Sequence, residues 1–150
     1  MHKHARMFVR KNASKLSGRV IEVGSFNVNG GIRDLVKIDV GVDMREGPGV
    51  DIVCNCENLL DHFAPGEFHA CVSLDTLEHV QDWKGFIKTT WGLVKDGGWL
   101  VMTMASMLKR RHSYPDDYWR MTEQDLKNIY PDVEVCDVGK TSIGDRKSVV

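Results

Sequence analysis

The chain lacks any apolar run near the ~20 residues that a membrane-spanning helix requires. Its basic start, Met1-His2-Lys3-His4-Ala5-Arg6, has no apolar core of the kind a secretory signal carries. No membrane association is expected, and the cytoplasm is the expected compartment. A dominant charge is missing too, since 20 Lys and Arg against 21 Asp and Glu leave a formal net charge of -1. Without a global basic field no nucleic-acid partner is expected. The local run Lys109-Arg110-Arg111-His112 either steers an anionic substrate or is a plain solvated loop. Cysteine is sparse, with four in 150 residues. Cys54-Asn55-Cys56 lacks the gap of about two to four residues usual between paired zinc ligands, so no metal site is expected. Cys54, Cys71 and Cys136 lie in apolar, strand-like runs, where a free thiol packs as a small hydrophobe. Two glycine motifs are absent as well. Phe26 and Asn29 break the dinucleotide pattern Gly-x-Gly-x-x-Gly, and no phosphate-cradling glycine loop with Lys-Ser/Thr occurs.

What is present is an alternation of strand-like and helix-like segments in a chain of one-domain size, spanning residues 1–150. Residues 4–16 read as a leading helix ended by Ser17-Gly18, with strands following at 19–24, 36–43 and 51–54. A fourth strand is expected at Phe68 to Leu74. Trp83, Phe86, Ile87, Trp91 and Val94 then recur at helical spacing, with Asp82 placed to cap the start and Gly97-Gly98 to stop the helix. A fifth strand runs from Trp99 to Met104. Thr122-Glu123-Gln124-Asp125 resembles a capping box, with Asp in the usual Glu/Gln position, and Pro131 closes the short helix it opens. A sixth strand covers Val133 to Val138, and Thr141 to Val150 has barely enough chain for a seventh at the edge. The fold class is therefore α/β: a Rossmann-like, doubly wound, mostly parallel sheet with helices on both faces, in a minimal or shortened version. Two links are unusually short. About a dozen residues join the first two strands, and the stretch from Asp43 to Asp51 requires either an irregular loop or a shorter third strand.

The most informative run is Val20 to Gly31, in which an apolar strand reaches Glu22 and then breaks at Gly24 into a glycine-containing turn. A second apolar run ends in Asp43, 21 positions after Glu22. In doubly wound folds such a turn lets backbone approach a nucleoside, and the later acid can bind ribose hydroxyls. A buried carboxylate is costly, so Glu22 calls for a ligand pocket or a capping role. Asp43 is either a ribose ligand or a turn residue before Gly47-Pro48. One early glycine and the later Gly30-Gly31 pair suit a nucleoside without a pyrophosphate, such as S-adenosylmethionine.

Five segments in order, from about residue 18 to 138, resemble one branch of the class I S-adenosylmethionine-dependent methyltransferases. They are Glu22-Val23-Gly24-Ser25-x-x-Val28-Asn29-Gly30, Gly41 to Asp51, Phe68 to Val80 with its Glu78-His79-Val80, Leu93 to Leu100, and His112 to Thr122. In the fourth, Asp96 replaces the family proline. The resemblance implies S-adenosylmethionine as cofactor. Glu22 and Gly24 would shape the pocket for its methionine end, and Ser25 and Gly30 would line the loop. Asp43 would accept from the ribose and Met44 would pack on the adenine. Asn55 and Cys56 fall where the family acid takes the adenine amino group, and Asn55 offers a carbonyl oxygen instead. Leu74 and Asp75 would face the sulfonium and its methyl.

For an oxygen or nitrogen acceptor, His112 is the first candidate base because its neutral form is available near neutrality, followed by Asp75 and Asp116. Methyl transfer by positioning alone, with no dedicated base, is the other possibility. His79 orients a loop or takes part in catalysis. Tyr114, Tyr118 and Trp119 form a substrate wall or a core under a long loop; following the fifth strand, they are expected outside the carboxyl ends where open α/β sheets bind ligands. His62 and His69 are expected to be structural. The expected acceptor is a small molecule or a sugar-containing, glycan-type compound. A cofactor- or partner-binding module without turnover is the alternative, and a nicotinamide-dependent oxidoreductase the weaker third reading.

Overall fold

The computed structural model describes residues 3–105, 107, 110–111 and 116–129, together with the short strands at 137–138 and 146–149. Its strands are β1 (Val20–Val23), β2 (Val40–Asp43), β3 (Ile52–Val53), β4 (Phe68–Leu74), β5 (Val94–Ala105), β6 (Asp137–Val138) and β7 (Arg146–Val149). They form one sheet in the order β3-β2-β1-β4-β5-β7-β6. The first five are mutually parallel, and β7 runs antiparallel to both β5 and β6. β7 is thus not an edge strand, as its position late in the chain suggested, because it inserts between β5 and β6. The chain starts at β1, winds outward to β3, then returns to lay β4 on the other side of β1. That reversal between β1 and β4 is the topological switch point at which such sheets open a crevice at their carboxyl ends.

Among the described residues the α-helices are α1 (Lys3–Lys11), α2 (Leu59–His62), α3 (Trp83–Leu93) and α4 (Glu123–Ile129). Strand alternation sends Ile21, Val23, Cys71 and Met102 to one face, where they meet Leu59, Phe86, Leu93 and Leu126 from α2, α3 and α4. Val20, Val72 and Val101 point the other way, to Phe8 and Val9 of α1 and to Ile32, Val36 and Ile38 of the β1–β2 connection. That connection contains no helix. It covers its share of the sheet with a turn over residues 32–36, which is why about a dozen residues suffice.

Short loops account for the other departures. β3 is only two residues long, and Asp51 N–H to Gly41 O (2.7 Å) and Cys54 N–H to Asp43 O (3.0 Å) continue its pairing with β2. Asp82 caps α3 as expected, accepting the Gly85 N–H at 3.0 Å. The expected stop at Gly97-Gly98 is corrected: α3 ends at Leu93, because Val94 is extended and already pairs with Phe68. The next pair is Ala70 with Trp99, so residues 95–98 bulge from β5, with Gly97 left-handed at φ +73. At α4 the reciprocal box forms. Asp125 N–H donates to Thr122 Oγ1 at 3.1 Å, and Thr122 N–H donates to Asp125 Oδ2 at 2.7 Å. Pro131, Cys136 and most of the expected sixth strand lie outside the described residues.

Candidate functional site

At the carboxyl ends of β1 and β2, two loops are zipped together by their backbones. Gly24 (φ +82) and Ser25 both donate N–H to Val42 O, at 2.8 and 3.0 Å. Phe26 N–H donates to Asp43 Oδ2 at 3.2 Å, and Asn27 N–H to Pro48 O at 2.8 Å. Phe26, where a dinucleotide fold has glycine, packs its ring on Gly47, with the Arg45 guanidinium 4.6 Å above its centre. A Cβ on Gly24 would overlap Thr76, so the same turn also abuts the loop after β4. Gly30 differs. At φ +99 it has open space where a Cβ would stand, and its N–H donates to Asn27 Oδ1 at 2.7 Å.

Asp43 ends β2 with its side chain 11% exposed. Each carboxylate oxygen takes one backbone N–H, Oδ2 from Phe26 and Oδ1 from Arg45 at 3.0 Å. Since a carboxylate has about four lone-pair sites, acceptor capacity remains for a diol. Met44 beside it is 72% exposed, an apolar side chain left outside the core.

Glu22 takes a different place. It is buried in β1, and its register partner across the ladder is Gly41, so the side chain leans over a residue without a Cβ. A Cβ on Gly41 would overlap the Gly49 carbonyl and stand 2.9 Å from Ser25 Oγ. Around this spot Arg33 pairs with Asp51, whose Oδ2 also accepts the Gly41 N–H at 2.7 Å. Burial pushes the Glu22 carboxyl up to about 7, with Arg33 pulling it down and Asp51 raising it. Ser25 Oγ is buried and unpartnered among the described residues, a polar atom left over for a ligand or water. Gly41, Arg33 and Asp51 were not singled out from sequence, although a glycine inside a strand signals close backbone approach.

Asn55 is exposed and caps the short 3-10 turn Cys56–Asn58, its Oδ1 accepting from Glu57 N–H at 3.3 Å and Cys56 Sγ at 3.4 Å. Its carbonyl oxygen is therefore already shared within the protein. Burial raises the half-buried Cys56 thiol to about 12 and the fully buried Cys71 thiol likewise, so both are protonated hydrophobes near neutrality.

On the other side of the switch point, Leu74 ends β4 and Asp75 follows at φ +57, the one non-glycine residue described with positive φ. Thr103 fixes that conformation. Its carbonyl accepts the Asp75 N–H at 2.8 Å, and its hydroxyl donates to Asp75 Oδ1 at 2.9 Å. A non-glycine residue held left-handed at a crevice is a frequent mark of a functional site.

The segment after β5 also reaches this end, which corrects the expectation that it lies away from the carboxyl ends. His79 Nδ1 bonds Asp116 O at 2.8 Å, the loop-orienting role, and Asp116 Oδ2 accepts the Tyr118 hydroxyl at 3.2 Å. Tyr118 N–H donates to Glu78 O at 2.8 Å, and the Trp119 indole N–H to Val80 O at 2.8 Å. Trp119 also meets Trp83 edge-on, 6.4 Å between centres. His112 and Tyr114 lie outside the described residues. His69 is structural as expected, accepting the Arg19 N–H at 3.2 Å.

The sheet order, the glycine turn after β1 and the acid after β2 define a class I methyltransferase architecture. Residues 18–102 match the family model of the methyltransferase domain, and the chain belongs to that family. No curated protein sequence matches it. Among solved structures, 98% of the chain overlays 75% of the 1,6-didemethyltoxoflavin-N1-methyltransferase of Burkholderia thailandensis, with TM-score 0.71 and 11% identity; that structure holds its namesake substrate and S-adenosylhomocysteine. A SAM-dependent methyltransferase of Archaeoglobus fulgidus overlays 88% of the chain with 70% of its own length, TM-score 0.69, identity 13%. Phosphoethanolamine N-methyltransferase 2 of Haemonchus contortus, in complex with S-adenosyl-L-methionine, overlays 88% of the chain with 38% of its own, TM-score 0.65, identity 18%. At these identities the likeness is one of fold. Among the described residues no helix is long and apolar enough to cross a membrane.

Proposed function

We propose that this chain transfers a methyl group from S-adenosylmethionine to a small-molecule or sugar-containing acceptor, in the crevice over the carboxyl ends of β1, β2 and β4. The observation that carries this reading is the placement of Asp43. A carboxylate with spare acceptor capacity stands beside a loop whose backbone is fixed by Val42, Pro48 and Asp43 itself. The cofactor fits the donor set: a ribose diol suits Asp43, an adenine face suits Met44, and the open space at Gly30 admits a ligand against main chain. Glu22 would act from below, as a buried wall that holds the Gly41 region open, and Ser25 would turn its unpartnered hydroxyl to the ligand. Leu74 and Asp75 would close the methionine side. Asn55 and Cys56 would border the adenine.

When bound, the sulfonium supplies an electrophilic methyl, and the protein's task is to align a nucleophile and accept its proton where needed. Asp75 is held ready by Thr103, while Asp116 belongs to the segment that follows β5, and His112 precedes it in the sequence. Calorimetric titration with S-adenosylmethionine and S-adenosylhomocysteine tests the first half, and absence of heat and of competition at millimolar ligand rejects it. Product analysis over a panel of amine, phenol and sugar acceptors tests the second, and binding without any turnover points to the module reading.

A further inference from the structure

Glu78 is fully buried, yet no step assigned so far uses it. It lies in the 3-10 turn Leu77–His79 that follows β4, and its Oε1 accepts the Ala105 N–H at the end of β5, at 3.1 Å. Its main-chain carbonyl holds Tyr118, while His79 and Val80 hold Asp116 and Trp119. Three successive residues thus grip the segment 116–119, and Asp117 within it forms a buried ion pair with Arg120 just beyond it. Oε2 of Glu78 has no hydrogen-bond partner among the described residues although no solvent reaches it. A turn that needed only to pack would be served by an apolar side chain, since burying a half-satisfied carboxyl is costly.

We propose that Glu78 is a positioning residue for methyl transfer, its carboxyl group acting as a proton-dependent latch that seats the end of β5 on the turn after β4, whose main chain and His79 ring in turn hold residues 116–119. The proposal rests on the methyl transfer proposed above for this crevice, and takes residues 116–119 as a wall of its acceptor side. The charged groups facing Glu78 are Arg120 and Asp117; β5 presents only the Ala105 N–H. Burial pushes the carboxyl up to about 7, with the Ala105 N–H and Arg120 lowering it and Asp117 raising it. In the neutral state Oε2 carries the proton and the Ala105 contact to Oε1 stands. Ionised, the same oxygen brings an unsolvated charge beside Asp117, and relief comes by loosening the segment.

Amide hydrogen exchange on the whole chain tests this, comparing wild type with Glu78→Gln. Protection is read at Ala105 and Tyr118, corrected for intrinsic exchange and referenced to Asn12 and Phe63, whose amides bond the Phe8 and Leu59 carbonyls. From about pH 6 to about pH 8 the referenced protection falls roughly tenfold or more in wild type and stays within about threefold in Glu78→Gln. Equal pH dependence in the two proteins, or none in wild type, overturns the latch. S-adenosylhomocysteine affinity by titration stays unchanged in Glu78→Gln; a loss there also overturns it, since the carboxyl would then serve the cofactor side. Failure of wild type to bind S-adenosylhomocysteine refutes the methyltransferase reading independently of the exchange result.

Discussion

The two halves of the crevice are built differently. On the β1–β2 side, loops are joined main chain to main chain, through Val42, Pro48 and glycines that admit close approach. On the β4–β5 side, side chains add to the main-chain bonds of Asp75 and Tyr118: the Glu78 carboxyl, the His79 and Trp119 rings, and an ion pair whose side chains are 6% and 1% exposed. A main-chain joint carries no titrating group of its own and tolerates few substitutions where a Cβ would overlap its neighbour. A side-chain joint changes with the residue that supplies it, and the Glu78 carboxyl, pushed up to about 7 by burial, changes with pH.

The comparison breaks most sharply at Arg120. Arg120→Met removes the buried ion pair with Asp117, a loss of about 3–5 kcal/mol; calorimetric melting is expected to show a fall in Tm, and an unchanged Tm would deny that this pair carries the β4–β5 side. Next comes Gly24→Ala, where a Cβ meets Thr76 in a left-handed backbone. A loss of roughly 1–3 kcal/mol is expected in denaturant unfolding, and a silent substitution would mean the main-chain zipper yields easily.

Asp43→Ala sharpens the contrast between binding and stability. It removes charge-assisted acceptance worth about 1.5–3 kcal/mol, so S-adenosylhomocysteine affinity should drop about ten- to hundredfold by titration. Undiminished affinity would refute the ribose assignment. Glu22 supplies a pH signature on the main-chain side. Its proton is held more tightly folded than unfolded, so its contribution to stability is full below about pH 4.5 and is lost as pH rises to about 7. Glu22→Gln should flatten that window in a series of melts. The smallest effect is expected at Met44, where Met44→Ala leaves Tm unchanged because the side chain is exposed, and weakens adenosine binding by a few-fold at most.

Much of this was legible in the chain. Phe68 to Leu74 reads as a strand and forms one, because an almost wholly apolar run with turn signals on both sides has few other uses. The Thr122 box and the Asp82 cap depend on neighbours within four residues, and both form. The misreadings share a cause. Whether Gly97-Gly98 ends a helix or hinges a bulge depends on Phe68 pairing with Val94, a contact between residues distant in sequence. The place of β7 between β5 and β6 depends on antiparallel pairing that no local pattern encodes.

The same division holds for the site. Local chemistry, with continuous apolar runs, a glycine turn and acids at strand ends, determined by itself the α/β class, the strand that carries Glu22 and the candidacy of Asp43. Tertiary structure alone decided that Glu22 leans over Gly41 beside Arg33 and Asp51, that Phe26 packs on Gly47, and that Glu78 reaches Ala105 and residues 116–119. Burial and partnership are properties of residues brought together across tens of positions, and a carboxyl group takes its proton affinity from them rather than from its neighbours in sequence.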